Sequence, residues 1–465
     1  MAGNRGARYE MDMCTGPILG KMLRFALPLM LSSMLQLLFN AADIVVVGRF
    51  AGDSALAAVG STGSLVNLIT NVFMGLSVGT NVVAARALGA RDHANVQRTV
   101  HTSMLVALIS GVFLTAVGVI GARRFLQWMG SPHDVIDLAA KYLRIYFVGM
   151  TSMMVYNFGS AILRAVGDTR RPLYFLLIAG VLNVVLNLFF VIALHMDVDG
   201  VALATIISQT VSAVLVFVCL MRSEGSIRFD PRRMRMHFDV FRDIATIGLP
   251  AGFQGIMFSI SNVAIQSSIN AFGSTVVAGS SAAGNIEGFV YVGMNAFYQT
   301  AISFIGQNMG AKKYDRIWRL LGTALICVTV VGLVLGVGAW SIGDTLVGIY
   351  TSSPDVIAAG VARMTYLSLP YFLCGIMDVL VGALRGIGYS IAPMIVSIVG
   401  VCGLRLLWIA TVCKLPAFSD PAGLFLSYPV SWVITLTAHF ACFVWAMGRI
   451  KKKAALEAAQ TGGEK

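Results

Sequence analysis

Long apolar stretches follow one another along this chain, separated by short breaks rich in Gly, Pro and basic residues. Residues 24–48 set the type: mostly apolar, with Gln36, Asn40 and Asp43 inside. About 20 apolar residues suffice to cross about 30 Å of hydrocarbon. Eleven further stretches follow, roughly over 54–86, 99–122, 135–163, 172–195, 199–221, 242–270, 275–311, 318–342, 354–385, 391–414 and 422–448. The runs are continuous rather than alternating, which argues against a β-barrel. Backbone groups in lipid must then bond within helices. The pattern predicts an all-α polytopic membrane protein with twelve transmembrane helices. Several stretches are longer than a bilayer needs, so tilt or kinking is expected. Pro28 and Pro250 stand near the starts of the first and seventh helices.

Those two prolines belong to an internal repeat. Leu27-Pro28 recurs as Leu249-Pro250 and Phe50 as Phe272, both 222 residues later. After a slip of one residue, Gly89-Ala90 recurs as Gly310-Ala311, Leu163-Arg164-Ala-Val-Gly167 as Leu384-Arg385-Gly-Ile-Gly388, and Pro172 as Pro393. One offset held over so long a stretch predicts two pseudo-symmetric six-helix lobes: residues 1–222, a linker over 223–241, and residues 242–465 with a short tail. Six helices is an even number, so the halves share orientation. Parallel repeats of this kind rock one half against the other in transporters.

Composition strengthens the membrane reading. The chain is 57% hydrophobic and 12% charged, with a mean hydropathy of +0.79, against about 25% charged residues in soluble domains. The net charge of +12 does not point to nucleic acid, because the basic residues follow the loops. With the N-terminus inside, 26 of the 34 Lys and Arg fall on inner segments, from Arg5 and Arg8 to Lys465. That asymmetry predicts both termini in the cytoplasm. The most basic loop, Arg222 to Arg242, reads as a positive-inside linker, though such a loop can also meet anionic lipid. The first 20 residues are polar and mixed, so no cleavable signal peptide is expected. Seven scattered cysteines lack ligand or redox spacing and read as small packing residues. Six histidines, His93, His101, His133, His195, His237 and His439, form no metal spacing, and no Walker-type loop indicates ATP use. No cofactor is expected beyond a coupling ion, and a monomer is expected.

Polar groups within the spans carry the functional expectation. Asp43 lies about five residues, or about 8 Å, from the outer end of its helix. An intramembrane carboxylate is costly and marks an ion, proton or cation site, unless it snorkels to the interface or bonds a neighbouring helix. Asn183 and Asn187 share a face of the fifth span by their i, i+4 spacing. With Thr205 on the sixth they fall at depths comparable to Asp43. Four such groups can ligate a hard cation or hydrogen-bond a protonatable acid; the alternative for the amides is interhelical glue. In the second half, Glu287 and Asp378 are the acids within spans. Either meets a cationic substrate, or Glu287 pairs with Arg405 at similar depth and is neutralised. By the repeat, Asp378 answers to Asn157, and Asp43 to Ile265, so the halves are chemically unequal.

These stretches resemble the MATE (multidrug and toxic compound extrusion) transporters, closest to the bacterial DinF-like branch. The resemblance rests on Pro28 with Asp43-Ile-Val-Val-Val-Gly48-Arg49, Gln307-Asn308-Met-Gly310-Ala311, the paired Leu-Arg-x-x-Gly turns, and Gly200-Val-Ala-Leu-Ala-Thr205-Ile-Ile-Ser208-Gln209. It implies a secondary antiporter of the bacterial inner membrane, not an enzyme, exporting organic, mostly cationic, compounds in exchange for H⁺ or Na⁺. It implies a cation or proton site at Asp43, Asn183 and Thr205, and Na⁺ ligation by the same groups. Asn187 departs from the many relatives with a carboxylate there, and can ligate but not titrate. Gln36, Asn40, Asn157, Glu287 and Asp378 are the substrate-binding candidates. The rival reading is a flippase for lipid-linked saccharides or another lipid, whose cavity should be rich in Arg and Lys. The acidic and neutral candidates favour organic cations.

Overall fold

The computed structural model describes residues 10–51, 53–129 and 135–462. Arg5, Arg8, His133 and Lys465 lie outside them. No strand occurs among the described residues. Helices α1 (Ile18–Val46), α2 (Asp53–Gly89), α3 (His93–Trp128), α4 (Ile136–Val148), α5 (Met150–Ala165), α6 (Arg170–Leu188) and α7 (Val198–Arg222) make up the first half. The second half holds α8 (Phe238–Asn270), α9 (Ser274–Gly310), α10 (Tyr314–Ser341), α11 (Gly343–Gly348), α12 (Pro354–Leu367), α13 (Tyr371–Gly386), α14 (Ile391–Ser397), α15 (Leu404–Thr411), α16 (Pro421–Phe425) and α17 (Ser427–Gly462). Each of the twelve expected stretches is helical, but not each is one rod. Among the described residues nine helices are long and apolar enough to cross a membrane, or ten if the bent pair α12 and α13 is one span.

The breaks have local causes. Helices α12 and α13 meet at 46°, where Pro370 has no N–H to give the preceding turn. The expected span over 135–163 is divided at Gly149 into α4 and α5. Helix α9 is more polar than those nine, carrying Asn285, Glu287, Asn295, Gln299, Gln307 and Asn308, and it is buried along much of its length. Three helices pass through a π-helical turn: Val47–Ala51 after α1, Phe189–Ala193 after α6, and Ile398–Gly403 between α14 and α15.

The repeat is visible in the backbone. Arg91 and Lys312, 221 residues apart, both take a left-handed φ, 57° and 56°. Gly167 and Gly388, at the same offset, have φ of 89° and 93°. Few non-Gly residues enter that region, so the matched pairs mark the same turn built twice.

The chain divides into two compact units, one built mainly on Leu27–Ile256, the other on Met257–Lys465 with Met13–Ala26. In the first, a Cβ at Gly180 on α6 would run into the Phe39 ring on α1. The missing side chain therefore lets α6 close onto α1, as small residues do between membrane helices. The loop after α7 is docked rather than loose. Ile227 and Phe229 are each 2% exposed, the Phe229 ring meets Phe217 edge-on at 5.2 Å, and the Asp230 backbone N–H donates to His101 Nε2 at 3.3 Å. In the second unit, a Cβ at Gly279 of α9 would lie 2.7 Å from the Gly360 nitrogen of α12. The two helices touch backbone to backbone there.

Candidate functional site

The approach of α6 to α1 in the first unit assembles a chain of polar side chains. Asn187 Nδ2 donates to Asp43 Oδ1 and also to Asn183 Oδ1 at 3.3 Å. Asn183 Nδ2 in turn donates to Thr205 Oγ1 at 3.4 Å, and the Thr205 hydroxyl donates back to its own helix at Val201 O, 3.0 Å. Asn187 is 1% exposed and Asn183 6%; Asp43 is partly buried. The i, i+4 spacing of the two amides makes this possible, because it stacks them along one face of α6 facing α1 and α7. One atom is left over: Asn187 Oδ1 is buried with no hydrogen-bond partner. A buried amide oxygen without a donor costs about 1–3 kcal/mol. An amide oxygen can accept a hydrogen bond or ligate a cation. Close by, Tyr142 and Tyr146 of α4 stack at 5.8 Å, and Tyr146 shares a hydrogen bond with Gln209.

In the second unit a cavity of about 460 Å³ is lined by residues of α8, α9, α12, α13, α15, α17 and the π-helical turn before α15. Both acids named from the sequence face it. Glu287, however, does not pair with Arg405. Its partner is Arg363 of α12, whose Nε and Nη2 donate to Oε1 at 3.2 Å and Oε2 at 2.9 Å. The side chains of this pair are 5% and 12% exposed. The same two helices, α9 and α12, approach closely at Gly279 and Gly360. Asp378 forms a hydrogen bond with Tyr291. Arg405 instead donates from Nε to Ser431 Oγ at 2.9 Å and lies over the Tyr428 ring at 4.1 Å.

The remaining substrate candidates are not gathered with these groups. Gln36 and Asn40 are exposed along α1. Asn157 donates to Met153 O of its own helix at 2.8 Å.

Comparison with known proteins decides the family. The family model described as MatE matches residues 28–189 and again 250–410. The chain belongs to the MATE family. The two matches start at Pro28 and Pro250 and end at 189 and 410, offsets of 222 and 221, those of the repeat read from the residues. A probable multidrug resistance protein of Bacillus subtilis is 24% identical over 92% of this chain and 94% of its own. A second probable multidrug resistance protein of the same organism is 26% identical, covering 85% and 88%. A crystal structure of MATE in complex with MaL6 superposes with a TM-score of 0.87 at 22% identity, over 96% of this chain and 99% of that one. By its family this MATE protein is a multi-pass membrane transporter.

Within the MATE fold, two features escaped the sequence. The pattern of polar groups within the spans points to Glu287, Asp378 and Arg405 but not to Arg363, and to a site without a free cationic group. The cavity in fact holds two guanidinium groups, Arg363 and Arg405. The repeat offers the missing signal, since at an offset of 221 Arg363 stands where α4 has Tyr142 and Arg405 where α6 has Val184.

Proposed function

We propose that this MATE protein is a secondary antiporter that exports organic compounds, mostly cations, in exchange for H⁺ or Na⁺, with Asp43 as the coupling group. The observation that carries the proposal is the hydrogen-bond chain Asp43–Asn187–Asn183–Thr205 with its unused acceptor, Asn187 Oδ1. Asp43 is the only carboxylate in it. When ionised, Asp43 accepts from the Asn187 amide N–H. When protonated it also carries an O–H donor, its other oxygen still able to accept, and a turn of the amide offers that donor the unused Oδ1. Turning withdraws the N–H from Asn183, so one proton re-sorts bonds on α1, α6 and α7 together. A sodium ion would be served differently, by the oxygens of Asp43, Asn183, Asn187 and Thr205, with no proton on Asp43.

The proposal includes alternating access between lobes 1–222 and 242–465 about the linker over 223–241. It also includes the bacterial inner membrane with both termini cytoplasmic, which the distribution of Lys and Arg supports. No cofactor besides the coupling ion, no nucleic acid and no second subunit enters it. One charge moved across 100 mV supplies about 2.3 kcal/mol, enough for a single ion to drive accumulation. The test is ethidium efflux from proteoliposomes under a proton gradient and, separately, a sodium gradient. Asp43→Asn should abolish acceleration by the gradient that drives the wild type. Unchanged efflux in Asp43→Asn under both gradients would overturn the proposal.

A further inference from the structure

Among the described residues, the second unit's cavity holds two carboxylates and two guanidinium groups, of which one pair only is in contact. Glu287 is fully engaged, both oxygens accepting from Arg363. Asp378 is bonded to Tyr291. Arg405 is 5% exposed and lines the same cavity, yet among the described residues no carboxylate lies within ion-pair distance of it. Its Nε is committed to Ser431, and one face of its guanidinium is committed to Tyr428, with Trp432 at 5.6 Å. What these contacts leave is the Nη edge. A guanidinium in a low-dielectric setting requires a counter-charge, and two parallel N–H donors match a planar oxyanion.

The walls next to that edge are flat and apolar. Trp432 stacks at 30° on Tyr371, centroids 5.4 Å apart, and Tyr371 continues to Tyr291 at 6.4 Å. Such faces take a fused ring system. The repeat sets the contrast: where the first half has Asp43 the second has Ile265, and where it has Val184 the second has Arg405. Each half therefore carries a charge at a position where its homologue is apolar, negative at Asp43 in the first and positive at Arg405 in the second.

We infer that the C-terminal cavity is a binding site for aromatic carboxylates, the carboxylate held by Arg405 and the ring lying along Trp432 and Tyr371. This extends the substrate range beyond the cations proposed above and does not depend on Asp43. The cavity, at about 460 Å³, suits a ligand of two or three fused rings. The arrangement also explains why an arginine and not a lysine stands at 405: only the planar group can stack on Tyr428 while offering a fork of donors.

The experiment is equilibrium dialysis of radiolabelled naphthalene-2-carboxylate against the full-length protein in nanodiscs, with empty nanodiscs subtracted. Naphthalene-2-carboxamide and naphthalen-2-ylmethylammonium serve as neutral and cationic matches of the same shape. The carboxylate should bind at least ten times more tightly than either. Arg405→Lys, which keeps the charge, and Arg405→Gln should each weaken the carboxylate at least tenfold and the carboxamide less than threefold. Equal binding of the three compounds to the wild type overturns the inference without need of a variant. So does a loss in Arg405→Lys that is the same for carboxylate and carboxamide. Because the measurement uses no ion gradient, a failure here leaves the role of Asp43 standing, and a failure of the efflux test leaves this site standing.

Discussion

Neutralising Glu287 separates two roles that the sequence left open for it. In the structure its carboxylate is held by two N–H donors of Arg363, at 3.2 and 2.9 Å, with 5% of the Glu287 side chain and 12% of the Arg363 side chain exposed. The pair is too dry for solvent screening to weaken it much. Replacing Glu287 by Gln keeps the shape, removes the negative charge and strands a buried guanidinium. Removing one partner of a buried pair costs about 3–5 kcal/mol, whereas replacing both with uncharged groups of similar volume is often near neutral. For a unit of this size 1 kcal/mol shifts the melting temperature by about 2–4 °C, so Glu287→Gln should lower it by about 6–20 °C. The double variant Glu287→Gln with Arg363→Met should recover most of that loss. The assay is thermal unfolding of the purified protein in detergent, with ethidium transport measured on the same preparations. A shift below about 2 °C in Glu287→Gln, or a double variant less stable than either single one, would refute a structural pair. If transport of the cation collapsed while stability held, Glu287 would be a substrate ligand instead.

Two further predictions test the first unit. Gly180→Leu forces α6 away from Phe39 and so parts Asn187 from Asp43; a charge-assisted hydrogen bond contributes about 1.5–3 kcal/mol, so gradient-driven efflux should fall roughly 10- to 150-fold in protein that still purifies as a single species. His237, just before α8, meets Thr102, and burial together with Arg98 holds its imidazole below the ordinary value of 6.5. A depressed histidine stabilises the fold above its unfolded pKa, and that contribution is lost as pH falls through the lower folded value. The protection factors of residues 223–241, corrected for the intrinsic pH dependence of amide exchange, should therefore fall below about pH 6.5, and His237→Gln should flatten that dependence; an unaltered profile in the variant would rule His237 out as its source.

The sequence carried the twelve stretches, the repeat and the Asp43 cluster for identifiable reasons. A span is announced by length and hydropathy, which tertiary packing does not disguise. Asn183 and Asn187 were legible because i, i+4 spacing fixes a shared helix face before any neighbour is known. The partner of Glu287 was not, because depth along a helix says nothing about its rotation. Arg405 and Arg363 both stand at plausible depth, and the structure places Arg363 against Glu287. Gln36 and Asn40 are exposed on α1 and take part in neither polar group described above. The loop after α7 read as a basic linker because its arginines dominate the composition, while the residues that dock it, Ile227 and Phe229, are two apolar positions among them.

The π-helical turns beside the polar chain of the first unit have a mechanical meaning. Val47–Ala51 begins four residues beyond Asp43, and Phe189–Ala193 two residues beyond Asn187. Such a turn holds one residue more than the regular hydrogen-bond ladder accommodates. Passing that surplus residue along the helix by a few positions advances the intervening segment by about 1.5 Å and turns it by about 100°, with the ladder re-formed behind it. Asp43 and Asn187 therefore stand next to built-in slack. A change of protonation that asks either side chain to face a new direction can be answered by moving a dislocation through one or two turns rather than by unwinding a membrane helix.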